Sequence, residues 1–168
     1  PLLRYFPELL PALEQLPVGT VVDGEVVVVV DDATQFDQLQ LRIHPAASRI
    51  ELLSAEIPAE LVAFYLLAVR GDDLRAAPWS ERRERLEDLF SGLEFPWHLT
   101  PVTGDFAEAE RWFTEYEGAG CDGIICKLDD GAYVEDKRDE GHRVELVAMA
   151  DIGNSTSDVR AYVRAEYL

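Results

Sequence analysis

Val21-Val22-Asp23-Gly24-Glu25-Val26-Val27-Val28-Val29-Val30 is the stretch that decides how the chain is read. β-Branched residues favour a pleated strand. Five successive valines point to a central strand buried on both faces, because an edge strand would alternate with polar residues. At the mouth of the run stand two carboxylates and a glycine. A second phrase of the same kind, Asp122-Gly123-Ile124-Ile125-Cys126-Lys127, comes much later in the chain. Each puts an acidic residue and a glycine at the entrance to a buried apolar segment, which suits a site where carboxylates face a phosphate and its metal.

Working outward, Pro7 to Leu16 reads as a short amphipathic helix carrying Leu9, Leu10, Leu13 and Leu16. Phe36 to Ile43 predicts a helix that ends near His44-Pro45, since the residue before proline is pushed out of helical conformation. A further helix fits Ala46 to Leu53. Leu61 to Val69 predicts an apolar strand closed by the turn Arg70-Gly71-Asp72-Asp73. Ser80 is placed as the N-cap of a helix with Leu86, Leu89, Phe90 and Leu93 on one face. Asp105 and Glu108 have capping-box spacing before a helix that would bury Phe106, Ala109, Trp112 and Phe113. Ile124 to Lys127 is a third strand, and Asp158 to Leu168 reads as a weak helix. No internal repeat or linker interrupts this order. One α/β (α+β) domain with mixed antiparallel sheets and flanking helices fits best.

The 168 residues suit one compact domain, and 48% hydrophobic content is that of a globular protein. Apolar stretches fall well short of the ~20 residues a membrane helix needs. A soluble, cytoplasmic protein with no membrane partner is the expectation. A net charge of −18 repels polyanions over the general surface. Lys127 and Lys137 are the only lysines. Cys121 and Cys126 have no partners at metal-ligand spacing and read as small apolar residues. His44, His98 and His142 form no triad or metal pattern.

Four residues are candidates for chemistry. Glu25, inside an apolar run, needs a partner or cation unless it and Asp23 form a solvated strand start. Asp122, beside Gly120 and Gly123, is either a turn aspartate or a ligand-facing carboxylate. Lys127 could neutralise a phosphate, but a regular strand gives it the opposite parity to Asp122. Phe64 offers a ring for a purine, or simply packs in the core. Asp129-Asp130-Gly131 after Lys127 mimics a Lys-x-Asp-Gly box with one residue too many and is rejected as a nucleophile motif.

The order of these phrases resembles the adenylation (nucleotidyltransferase, ATP-grasp-like) domain of small bacterial ATP-dependent DNA ligases of the repair type. Arg4-Tyr5-Phe6-Pro7-Glu8-Leu9, Val22-Asp23-Gly24-Glu25-Val26, Phe64-Tyr65-Leu66-Leu67 with Glu81-Arg82-Arg83, and Asp122-Gly123-Ile124-Ile125-Cys126-Lys127 are similar to successive blocks of that family. Tyr133 with Lys137-Arg138 extends the last, and Tyr65 stands where the family usually has aspartate.

The resemblance implies nick sealing in DNA repair and recombination, through a lysyl-AMP and a DNA-adenylate. ATP and Mg²⁺ would be the cofactors and nicked double-stranded DNA the substrate. It implies catalytic roles for Glu25, Asp122 and Lys127. Phe64, Glu25 and Lys127 would bind the nucleotide, with Glu25 and Asp122 at the metal. It spans residues 1–138 as the central part of the domain and leaves 139–168 as an atypical tail, with no oligonucleotide-binding domain.

No Lys-x-Asp-Gly occurs, and Val144 to Met149 stands where a Lys-x-Lys pair would be. The nucleophilic lysine is therefore expected upstream of Pro1 or on a complementing chain. The isolated chain is expected to be inactive as a ligase and to hold DNA weakly or not at all. The alternative is a non-catalytic remnant or interaction module with residual nucleotide binding.

Overall fold

The computed structural model describes residues 2–31, 33–43, 46–117, 123–133 and 159–164. Single 3₁₀ turns at Leu2–Arg4 and Pro7–Leu9 lead into α1, Leu10–Leu13. The helix predicted to reach Leu16 is thus one turn long. Pro7 and Pro11 each lack an amide donor, and Gln15 and Leu16 donate to Ala12 and Leu13 in tighter turns. Leu9 is buried and Leu13 and Leu16 pack inward, whereas Leu10 is exposed.

The valine run divides. β1 covers Val21–Val27, Val28 is buried, and Val29–Val30 forms β2 in a small hairpin with β3, Ala33–Thr34. Asp31, in the left-handed region at φ 53°, turns that hairpin. Val21, Val29 and Val30 are exposed. Among the described residues β1 pairs only with β4, Glu60–Val69, and so stands at the edge of the described sheet where a doubly buried central strand was expected. The central strand is β4. It takes β1 on one side, β5 (Asp72–Asp73) in a hairpin, and β6 (Trp97–Leu99) in parallel. The predicted turn between β4 and β5 is present, with Arg70 and Gly71 both at positive φ, the geometry of a tight two-residue hairpin.

Helix α2 (Phe36–Arg42) and helix α3 (Ala47–Glu56) follow their sequence signals. Helix α4 spans Trp79–Phe90 and lays Leu86 and Phe90 on the β4 sheet with Ala12, Ala63, Leu66, Leu74 and Trp97. Among the described residues this cluster is one part of the core. A second gathers Phe6, Leu9, Val28, Leu39 and Ala59. Ser80 does not cap α4. Its amide and hydroxyl both donate to the Asp129 carbonyl at 2.9 Å, tying the helix to a distant turn.

A three-stranded sheet completes the fold: β7 (Val102–Thr103), β9 (Val159–Arg164) and β8 (Gly123–Leu128), in the order β7-β9-β8, all antiparallel. Where the sequence suggests a weak C-terminal helix, 159–164 is the middle strand. Helix α5, Phe106–Glu117, packs on this sheet. Asp105 Oδ1 accepts from the Ala107 amide, but Glu108 turns instead to the Thr103 hydroxyl, which also accepts from the Asp105 amide. Ala109 and Trp112 are buried as predicted, whereas Phe106 is exposed. No helix among the described residues is long and apolar enough to cross a membrane.

Candidate functional site

Antiparallel register decides which β1 side chains leave the core. Val22 lies opposite Leu66 and both pack in the first cluster, while Val26 lies opposite Leu61 and both pack against the second; Gly24 lies opposite Ala63. Asp23 lies opposite Tyr65 and Glu25 opposite Val62, on the other face. Both carboxylates are half-buried. Gly24 is required by close approach: a Cβ there would run into the Val62 carbonyl oxygen and sit 3.1 Å from the Ala63 Cα. The register slips between Asp23 and Gly24, leaving Phe64 as the extra residue on β4. Phe64 is 8% exposed. Most of its ring is already packed, which a core residue requires and which an adenine platform also requires on its far side.

The second sheet meets this face at Tyr65. Lys127, on β8, places its ammonium 5.8 Å from the Tyr65 ring centroid. Ile124 and Cys126, of opposite parity, are buried on the far side of β8. Burial raises the Cys126 thiol to about 11, so it stays protonated and inert at neutral pH. Beyond Lys127 the chain turns through Gly131, whose amide donates to the Leu128 carbonyl, and brings Tyr133 back over the site. The Tyr133 ring meets Tyr65 edge-on at 5.6 Å, and its hydroxyl donates to Asp23 Oδ2 at 3.5 Å.

Arg82, on the first turn of α4, completes the group. Its side chain is 2% exposed, with Nε donating to the Ala77 carbonyl and Nη2 to the Gly131 carbonyl. The guanidinium lies 5.7 Å from the Tyr65 centroid and 5.9 Å from that of Tyr133. Burial pulls its pKa below the ordinary arginine value, while the two tyrosines oppose that shift.

Of the residues singled out from the sequence, Glu25, Phe64 and Lys127 lie on or beside the β1–β4 surface that faces β8. Asp122, His44, Cys121 and Lys137 lie outside the described residues. No group of three or more His, Cys, Asp or Glu that could hold a metal ion occurs among the described residues. The sequence reading overlooked Arg82 and Tyr133 as site residues. Their signal was weak: an arginine among charged helix residues and a tyrosine in a loop become neighbours only through tertiary folding.

The mixed α/β architecture, with a carboxylate-bearing strand and a lysine on either side of an aromatic ring, is consistent with a nucleotidyltransferase adenylation domain. The chain belongs to the ATP dependent DNA ligase domain family, whose model matches residues 1–142. It is 50% identical over 139 residues to DNA ligase C2 of Mycolicibacterium smegmatis, covering 82% of this chain and 39% of that protein. It is 46% identical over 143 residues to DNA ligase C of Mycobacterium tuberculosis, covering 82% and 40%. Against DNA ligase C1 of Mycolicibacterium smegmatis it is 42% identical over 156 residues, covering 87% and 44%. The chain thus spans about two-fifths of the length of these curated relatives.

Proposed function

We propose that this chain supplies the nucleotide-binding face of an ATP-dependent DNA ligase acting in repair and recombination. The observation that supports this reading is the approach of the Lys127 ammonium to Tyr65, the cross-strand neighbour of Asp23, with Glu25 on the same strand face. An ammonium there neutralises a phosphate. Glu25, together with Asp122, holds Mg²⁺ or the ribose. Phe64 bears on the adenine.

The donor set suits these groups. Mg²⁺ is normally held by one or two carboxylates and keeps several waters, so no dense ligand cage is needed. When bound, the metal offsets charge developing on the phosphorus oxygens. The protein's own part is to orient: Lys127 fixes the phosphate, Gly24 lets β1 lie close to β4, and Tyr133 steadies Asp23.

The transfer itself needs a nucleophile, and positioning does not replace one. The alternatives within the chain are only Lys127 and Lys137. The isolated chain is therefore expected to be inactive, with a segment carrying Lys-x-Asp-Gly, upstream or on a complementing chain, supplying the covalent step. Incubation with α-labelled ATP tests this. The expected result is no covalent label. An adenylate on Lys127 or Lys137 would overturn it.

A second reading is a non-catalytic remnant or interaction module with residual nucleotide binding. The lysine-free stretch after Lys137 and the net charge of −18 favour it. Adding a separately expressed Lys-x-Asp-Gly segment separates the two: recovery of labelled adenylate supports the ligase reading, and continued inertness the remnant.

A further inference from the structure

Lys127 stands near the end of β8, and the turn that follows it is held by the first turn of α4. Three hydrogen bonds make that attachment. Ser80 donates twice to the Asp129 carbonyl, and Arg82 Nη2 donates to the Gly131 carbonyl at 3.0 Å. Tyr133, two residues beyond Gly131, is fixed on its other side by its amide, which donates to the Arg75 carbonyl at 2.8 Å.

Arg82 differs from a residue that only fills space. Its Nη1 is buried with no hydrogen-bond partner among the described residues, which costs free energy that an apolar side chain of similar volume would avoid. No carboxylate among the described residues pairs with it. What the guanidinium does touch is the pair of rings that Lys127 and Asp23 also touch. Arg82 and Lys127 thus bring two cations to one ring, Tyr65, at 5.7 and 5.8 Å. Arg83, the next residue, provides the contrast. It is also buried, but it bonds Thr100 and pairs with Glu87.

We propose that Arg82 is a positioning residue of the nucleotide face: by holding the Gly131 carbonyl while its guanidinium lies by the Tyr65 and Tyr133 rings, it sets where the Lys127 ammonium stands. The consequence for phosphate binding rests on the reading of Lys127 given above. Arg82 itself does not reach the ligand, because its guanidinium is covered. It acts through the 128–133 turn and keeps a fixed positive charge behind the aromatic pair. A forked guanidinium can hold the Ala77 and Gly131 carbonyls together, whereas a lysine holds one at a time.

Two measurements on the full chain test this. Because Lys127 and Lys137 are the only lysines, ¹³C-lysine labelling gives two Cε signals. Arg82→Gln is expected to displace the Lys127 signal, with Arg82→Lys moving it part of the way. In calorimetric titration with Mg-ATP, Arg82→Gln should weaken binding by about tenfold, the scale of a contact worth 1.4 kcal/mol. Arg82→Lys should stay within about threefold. Arg83→Gln serves as the control for loss of a neighbouring buried arginine and should bind as the unaltered chain does.

A folded Arg82→Gln chain with the Lys127 signal and Mg-ATP affinity both unchanged would overturn the proposal. If Arg82→Gln does not fold, Arg82→Lys decides by the Lys127 signal, and a signal that does not move overturns the proposal. If Lys127→Ala leaves Mg-ATP affinity unchanged, the phosphate-facing reading of Lys127 fails instead. The displaced Lys127 signal would then still support Arg82 as the residue that positions it.

Discussion

Two buried arginines hold this fold in different ways. Arg42 ends α2 with no exposed surface, and its charge is answered on the spot. Nη1 pairs with Glu8 at 2.7 Å and donates to the Ile57 carbonyl, while Nη2 donates to the Tyr5 carbonyl at 2.8 Å. Glu8 in turn accepts from the Ala59 amide. The knot joins the N-terminal turns, α2 and the approach to β4, and nothing in it faces the site. Arg82 is as deeply buried but has carbonyls and rings for neighbours, with no carboxylate among the described residues. The first arrangement spends its charge on architecture. The second holds the turn that follows Lys127, so the first should be read in stability and the second in nucleotide affinity.

The largest effect is expected at the knot. Arg42→Met leaves Glu8 without its partner and should destabilise by about 3–5 kcal/mol, as removal of one member of a buried pair does. Denaturant melts check this, and adding Glu8→Gln should recover part of the loss. Next comes the core beneath the site, where Leu66→Ala should cost about 2–5 kcal/mol through lost burial and a cavity.

Tyr133→Phe should sharpen the contrast. It removes the hydroxyl contact to Asp23 but keeps the ring on Tyr65, so melting should shift little. Mg-ATP affinity should fall by a few-fold at most, given a 3.5 Å contact. A large stability loss in Tyr133→Phe with unchanged nucleotide affinity would erase the distinction between the two regions.

The smallest effect lies at the surface. Asp73 is held down to about 2 by hydrogen bonds from the Arg75 side chain and then its backbone amide. A depressed folded-state pKa contributes stability above the ordinary carboxylate range and loses it as pH falls toward 2. The difference in melting temperature between Asp73→Asn and the unaltered chain should therefore be slight at pH 6 and vanish near pH 2.

Much of the scaffold was readable because its signals are local. α2, α3, β4 and its hairpin, the apolar face of α4, and β8 each carry their own periodicity or turn residues. The valine run misled because β-branching specifies a strand but not its place in a sheet. Composition did not mark the turn at Asp31, and exposure of Val29 and Val30 followed from it. Ser80 looked like a cap because its true acceptor, the Asp129 carbonyl, is supplied by a remote turn.

The site divides in the same manner. Glu25 and Lys127 stood out as charges set in apolar runs, and the strand alternation that separates Asp23 and Glu25 from the core is a local property. Arg82 and Tyr133 did not stand out, because their roles depend on β8, α4 and β4 converging. Asp122 lies outside the described residues, so its part in the site remains a proposal.

The central claim is that the Lys127 ammonium faces bound nucleotide across the Tyr65 ring. Titrating Mg-ATP into the ¹³C-lysine chain tests it most directly. The Lys127 Cε signal should move to saturation, and Glu25→Gln should shift the midpoint to higher ligand concentration. A Lys127 signal that stays fixed while nucleotide binds, as judged by calorimetry on the same sample, would contradict the account.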